Sequence, residues 1–132
     1  MIKTSQFSIF KTSVGVISEQ LLKDAIKALC KELTGASLTT VIQDFNGNNH
    51  NVLVGIKSSE LPRGIGFNLD SNGNMVVIGD GYGSYGTWEK YSTLGQNYAK
   101  AFKVLQNVKN KNPHATARMQ VREKAVEMEI AY

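Results

Sequence analysis

Residues 65–78 read Ile65-Gly66-Phe67-Asn68-Leu69-Asp70-Ser71-Asn72-Gly73-Asn74-Met75-Val76-Val77-Ile78, two short apolar runs joined by Asp-Ser-Asn-Gly-Asn. Asn-Gly is a strong hairpin signal because both residues tolerate positive φ, which a type I′ turn requires. The stretch therefore predicts two antiparallel strands, Ile65–Leu69 and Met75–Ile78. The same D-x-N-G-N pattern recurs 26 residues earlier as Asp44-Phe45-Asn46-Gly47-Asn48, between Leu38–Ile42 and Val52–Ile56. A duplication would explain the repeat, but two hairpins converging on one turn chemistry explain it as well.

Outward from this four-strand centre the periodicity changes. Leu21, Leu22, Ala25, Ile26, Leu29 and Leu33 recur at helical spacing, with Lys23, Asp24, Lys27 and Lys31 mostly off the stripe. Ser18 stands as N-cap, Ile17 and Leu22 are placed as a hydrophobic staple, and Gly35 is placed to stop the helix. Before it, Phe7–Phe10 reads as a strand extendable to Val16, with Phe7 and Ile9 on one face and Phe10, Val14 and Val16 on the other. Beyond the hairpins, a helix is expected to begin between Trp88 and Thr93 and to run to about Lys109, burying Tyr91, Leu94, Tyr98, Phe102, Leu105 and Val108. Asn112-Pro113 ends it. In the last hairpin a two-residue turn at Glu123-Lys124 opposes Val121 to Val126 and Met119 to Met128 on the core face. The same register opposes Gln120 to Glu127 and Arg118 to Glu129 on the solvent face. The order β-α-β-β-β-β-α-β-β has too few helices to cover both faces of a sheet. It predicts a single α+β domain over residues 1–132, a mainly antiparallel sheet with two helices packed on one face.

The chain has 132 residues, 42% of them hydrophobic, with 15 Lys+Arg against 11 Asp+Glu. That suits one folded domain. Met1-Ile2-Lys3-Thr4-Ser5 lacks the apolar core of a secretory signal, and no apolar run is long enough to span a bilayer, so a cytoplasmic setting is expected. The net charge of +4 is unevenly placed: residues 87–124 hold eight basic and two acidic side chains, whereas residues 1–86 hold seven of each. Lys100, Lys103, Lys109 and Lys111 with Arg122 form a candidate basic patch for nucleic-acid phosphates, and Arg118 is expected to pair with Glu129. Solvated charge is the alternative account of the same residues.

Gly79-Asp80-Gly81-Tyr82-Gly83-Ser84-Tyr85-Gly86 reads as a glycine- and aromatic-rich surface loop. Asp80, Gly81, Tyr82, Gly83, Tyr85, Gly86 and Trp88 are its candidate ligand- or partner-binding residues. Gly81-x-Gly83-x-x-Gly86 matches a dinucleotide fingerprint, but the preceding strand opens no βαβ unit, and no acid lies between Glu89 and Glu123 to hold a ribose. Tyr82 and Tyr85 are also bulky for a phosphate turn. The D-x-N-G-N turns fail as calcium loops, having Asn49 and Met75 where glycine is needed and Gly55 and Gly81 where glutamate is. Cys30, His50 and His114 are the only thiol and imidazoles; ligand spacing for a metal site is absent, and Cys30 adjoins the apolar stripe of the helix, where a buried thiol is the usual alternative to a nucleophilic Cys-His pair. No catalytic residue, metal or cofactor is implied. Asp80 is the one acid in a position that invites a test, with loop solvation as its plain account.

Three segments together resemble a known family: Ser5-x-Phe7-Ser8-x-x-Lys11-Thr12 followed by Leu21-Leu22-x-x-Ala25-x-x-x-Leu29; Gly64-Ile65-Gly66-Phe67; and Gln96-x-Tyr98-Ala99 with Val104 and the closing hairpin. This order resembles the small uncharacterised conserved-reading-frame family of cyanobacteria and chloroplasts, a domain of unknown function. Tyr132 stands where that family tends to have an aromatic end, while Leu38–His50 and the glycine-rich stretch depart from its pattern. The resemblance implies a soluble α+β protein and supplies no catalytic residues. The expected role is a non-enzymatic binding or accessory protein acting through a protein partner, with homo-oligomers possible. Nucleic-acid binding by the basic segment and nucleotide binding by residues 79–86 are the alternatives.

Overall fold

A computed structural model describes residues 7–132; residues 1–6, and with them the opening serine of the family motif, lie outside the described residues. The elements are β1 (Phe7–Val16), α1 (Glu19–Glu32), β2 (Ser37–Gln43), β3 (Asn49–Ser58), β4 (Leu61–Leu69), β5 (Asn74–Asp80), α2 (Tyr85–Lys111), β6 (Thr116–Arg122) and β7 (Ala125–Ala131). Five strands form an antiparallel sheet in the order β1-β5-β4-β3-β2, and β6 and β7 form a separate two-stranded sheet. The fold is the expected α+β arrangement, with both helices on one face of the larger sheet.

Turn chemistry sets the β2–β5 meander. Asp44 Oδ1 accepts the N–H groups of Asn46 (2.9 Å) and Asn48 (3.0 Å), and Asp70 Oδ1 accepts those of Asn72 (2.9 Å) and Asn74 (3.0 Å). Gly47 and Gly73 carry φ of 83° and 81°, but the preceding asparagines do not have positive φ. The turns are thus type I with a left-handed glycine and a bulge, not the expected type I′. A carboxylate that accepts two turn amides stabilises the type I geometry directly, and this outweighs the Asn-Gly preference for I′.

The helix-side core joins Val54 and Ile56 of β3, Ile65 and Phe67 of β4, and Met75 and Val77 of β5 to Leu22, Ile26 and Leu29 of α1 and Leu94 and Tyr98 of α2. In α1, Ser18 Oγ accepts the Leu21 N–H at 3.1 Å, and Ile17 and Leu22 are buried as the expected staple. In α2, Gly95 lies on the ring of Phe67, where a Cβ would overlap the aromatic carbons. The closing hairpin has the expected register, Arg118 to Glu129 through Val121 to Val126. Its apolar side, Met119, Val121 and Val126, packs against the helix-side core. Asn97 Nδ2 donates to the Lys124 carbonyl (2.8 Å), fixing the hairpin turn to α2.

The other face of the sheet covers itself. β3 pairs with β4 only from Val54 onward, so its first half follows β2 alone. This part of the β2–β3 hairpin rolls over β4 and β5, forming a second small core of Ile42, Val52, Val76 and Ile78 with Phe7. Gly66 makes the roll possible, because a Cβ there would collide with Val52. In β1, Val14 is buried while Val16 is 63% exposed, so they do not share a face as expected. The register shifts between Lys11 and Val16, where Gly15 adopts a φ of 76°.

Candidate functional site

The glycine-rich stretch is not one loop. Gly79 and Asp80 complete β5, residues 81–84 turn, and Tyr85 and Gly86 already belong to the first turn of α2. The helix starts earlier than its apolar spacing suggests because Gly86, in its first turn, carries no side chain to mark the stripe. At Gly79 packing requires a bare backbone, since the Trp88 indole lies against it and a Cβ would overlap the indole nitrogen. Alternation at the end of β5 then sends successive residues to opposite faces of the sheet.

On the rolled face lies Asp80, fully buried and not loop-solvated as expected. Its Oδ2 accepts the Phe45 N–H at 2.8 Å and its Oδ1 accepts the Tyr82 N–H at 3.0 Å. The carboxylate therefore ties the β2–β3 turn to the end of β5. Around this tie, the Phe45 and Tyr82 rings meet edge-on at 4.2 Å, and the Arg63 guanidinium lies 5.3 Å from the Phe45 ring centre. Arg63 also donates to the Tyr82 carbonyl. His50 stacks on Phe7 with centroids 3.9 Å apart, and its Nε2 lies 3.0 Å from Asp44 Oδ2. This cluster closes the roll. Its carboxylates are occupied by backbone amides and an imidazole, which suits a structural seam.

The seam is acid-sensitive. The contact with His50 comes first among the causes that hold the Asp44 carboxyl down to about 2, with the Asn46 and Asn48 amides adding to it against the opposing effect of burial. A carboxyl lowered on folding stabilises the native state above its ordinary range near 4 and loses that contribution as pH falls through about 2. Acid titration followed by hydrogen exchange is expected to release the Asn46 and Asn48 amides over that window. In Asp44→Asn the same amides are expected to exchange without this pH step.

On the helix face lies a different group. Trp88 is buried, its ring meets Phe10 edge-on at 5.1 Å, and Tyr85 lies nearly parallel to it at 6.4 Å. Ser8, Phe10, Gly81, Tyr85 and Trp88 line a groove of about 250 Å³ along β1. Tyr85 is 62% exposed, Phe10 44% and Ile9, on the reverse of the strand, 65%. Of the candidate binding residues, Gly81, Tyr85 and Trp88 thus converge here, while Asp80 and Tyr82 serve the seam. Gly83 and Gly86 are exposed on the turn and first helical residues between them. Ser8 and Phe10 escape a reading of the sequence because only the pairing of Ser8 with Gly79 and of Phe10 with Val77 brings them to Trp88. No local signal in the sequence reports that pairing.

The basic candidates are dispersed. Lys103 Nζ donates to the Val14 carbonyl (2.8 Å), anchoring α2 to the irregular part of β1. Arg122 is ion-paired with Glu127 (3.5 Å), and Lys124 with Glu89 (3.0 Å). The hairpin's ion pair is therefore diagonal, and not the directly opposed Arg118 with Glu129. Lys109 borders a groove between the helices with Leu21, Asp24 and Phe102. Lys100 and Lys111 remain exposed on α2. Cys30 lies in the helix-side core, where burial pushes its thiol up, and the sheet separates it from His50. Among the described residues no three His, Cys, Asp or Glu stand where they could share a metal ion, and no helix is long and apolar enough to cross a membrane. Comparison with family models, with curated proteins and with solved structures gives no match to this chain.

Proposed function

We propose that the chain is a non-enzymatic binding module that engages a protein partner through the groove between β1 and the start of α2. The observation that carries this reading is the exposure of Phe10 and Tyr85 together at one sheet edge, around a groove backed by the buried Trp88. Aromatic side chains held by packing bind at low entropic cost, and interfaces are enriched in them. Gentle affinity capture with the full chain from its native host is expected to recover a stoichiometric protein. Tyr85→Ala is expected to weaken that capture by about tenfold or more, as for a hot-spot aromatic. Capture of nothing by the wild type, or equal capture by Tyr85→Ala, would overturn the reading.

A further inference from the structure

We infer that the partner segment seated in this groove is a proline-rich stretch in the polyproline II conformation; the inference rests on the binding role assigned to the groove. It starts from a buried donor. Trp88 is 6% exposed, and among the described residues nothing accepts a hydrogen bond from its Nε1–H. Buried donors are nearly always paired, so an unpaired one in a native structure asks for the acceptor that satisfies it. The indole nitrogen lies against Gly79, and Gly79 pairs across the sheet with Ser8. Ser8 and Trp88 both line the groove, so the unpaired N–H stands at its inner wall. It is covered in the unbound chain, and the partly exposed rings of Phe10 and Tyr85 are the walls that give to admit an acceptor.

The occupant follows from what the walls offer. None of the described lining residues is charged, which points away from an acidic or basic segment. The indole N–H is a donor only, and the hydroxyls of Ser8 and Tyr85 can donate as well. The complement is a segment that brings acceptors and few donors. Proline carries a carbonyl and no N–H, and in polyproline II the carbonyls make no internal hydrogen bond. An ordinary strand would bring its own N–H groups to a wall whose buried polar group is already a donor. A helix has its carbonyls spent internally and needs a row of anchors, more than a groove of about 250 Å³ accepts. The apolar walls match too. Tyr85 and Trp88, three residues apart on the first turn of α2, hold their rings within 16° of parallel, and Phe10 meets Trp88 at 60° from β1. Proline-rich segments dock in aromatic-lined grooves, and their preformed helix loses little entropy on binding.

Trp88 is the only tryptophan in the chain, so a single indole N–H resonance, and all of the tryptophan emission, report on the groove. Titration of the full, isotope-labelled chain with a ten-residue polyproline peptide is expected to move that proton downfield and slow its exchange with water. A glycine–serine peptide of equal length, which has carbonyls but neither rings nor a preformed helix, is expected to do neither. Trp88→Phe keeps an aromatic ring and removes the donor, and is expected to weaken polyproline binding by about tenfold in calorimetry. Tyr85→Ala, at an exposed position, is expected to weaken it by about as much with an unchanged circular-dichroism spectrum. An indole resonance unmoved at millimolar polyproline overturns the inference, as does an equal response to the glycine–serine peptide. So does an indole proton already shifted and protected without peptide, since water then serves the donor. If polyproline fails while Tyr85 still governs capture of a protein, the binding role survives and the proline-rich occupant does not. If Tyr85→Ala alters neither polyproline binding nor capture, the role assigned to the groove fails with it.

Discussion

Asp80→Ala is expected to lower stability by about 3 kcal/mol, because two backbone amides lose a shared buried acceptor. The side chain is fully buried, and the Phe45 and Tyr82 N–H groups lie 2.8 Å and 3.0 Å from its two oxygens. Alanine supplies no acceptor, so both N–H groups lose their partner. Asp80→Asn keeps one carbonyl oxygen and is expected to lose about half as much. Urea denaturation measures the total, and hydrogen exchange locates it: the Phe45 amide should lose protection first, while amides of α1 and α2 stay protected. A loss below about 0.5 kcal/mol, of the size seen at surface positions, would mean that Asp80 does not hold the seam.

Phe67→Ala is expected to cost about 4 kcal/mol, the range for deleting a fully buried phenylalanine. Phe67 has no exposed surface and lies at the centre of β4, directly under Gly95 of α2. The same geometry makes Gly95→Ala unfavourable, by about 2 kcal/mol, since the added methyl must displace the ring or lift the helix. The two changes should not add. Once the ring is gone, the methyl of Gly95→Ala enters vacated space, so the double variant is expected to be more stable than the sum of the singles predicts by about 1–2 kcal/mol. Denaturation of the four proteins forms the cycle. Strict additivity would show that Gly95 is not shaped by the Phe67 ring.

Much of the architecture is legible in local signals because the elements are set by local physics. Ser18 caps α1, the two Asp-x-Asn-Gly-Asn turns close their hairpins, and the Met119–Val126 pattern permits one register of the last hairpin. The type of turn is not legible in the same way, because the Asp44 and Asp70 carboxylates act across several residues, whereas the Asn-Gly preference is read from a pair. The roll of the β2–β3 hairpin leaves no local trace at all. It depends on Gly66 meeting Val52 and on Phe45 reaching Asp80, contacts between residues far apart in sequence. The candidate site divides for the same reason. Residues 80–88 are neighbours along the chain, yet strand alternation sends Asp80 to one face and Trp88 packs on the other.

The rolled hairpin also bears on the order in which the molecule forms and opens. Strands β2 to β5 pair with their sequence neighbours, so this meander closes through short loops and is kinetically accessible early. β1 is synthesised first but pairs with β5, so its apolar edge waits for most of the chain before it finds a partner. The second small core lies outside the helix-side core and is held at its margin by the Asp80 tie and the His50–Phe7 stack. Such an outer layer has the makings of its own cooperative unit, able to open while the helices remain docked. The sheet therefore carries a global stability on one face and a smaller, separately adjustable one on the other.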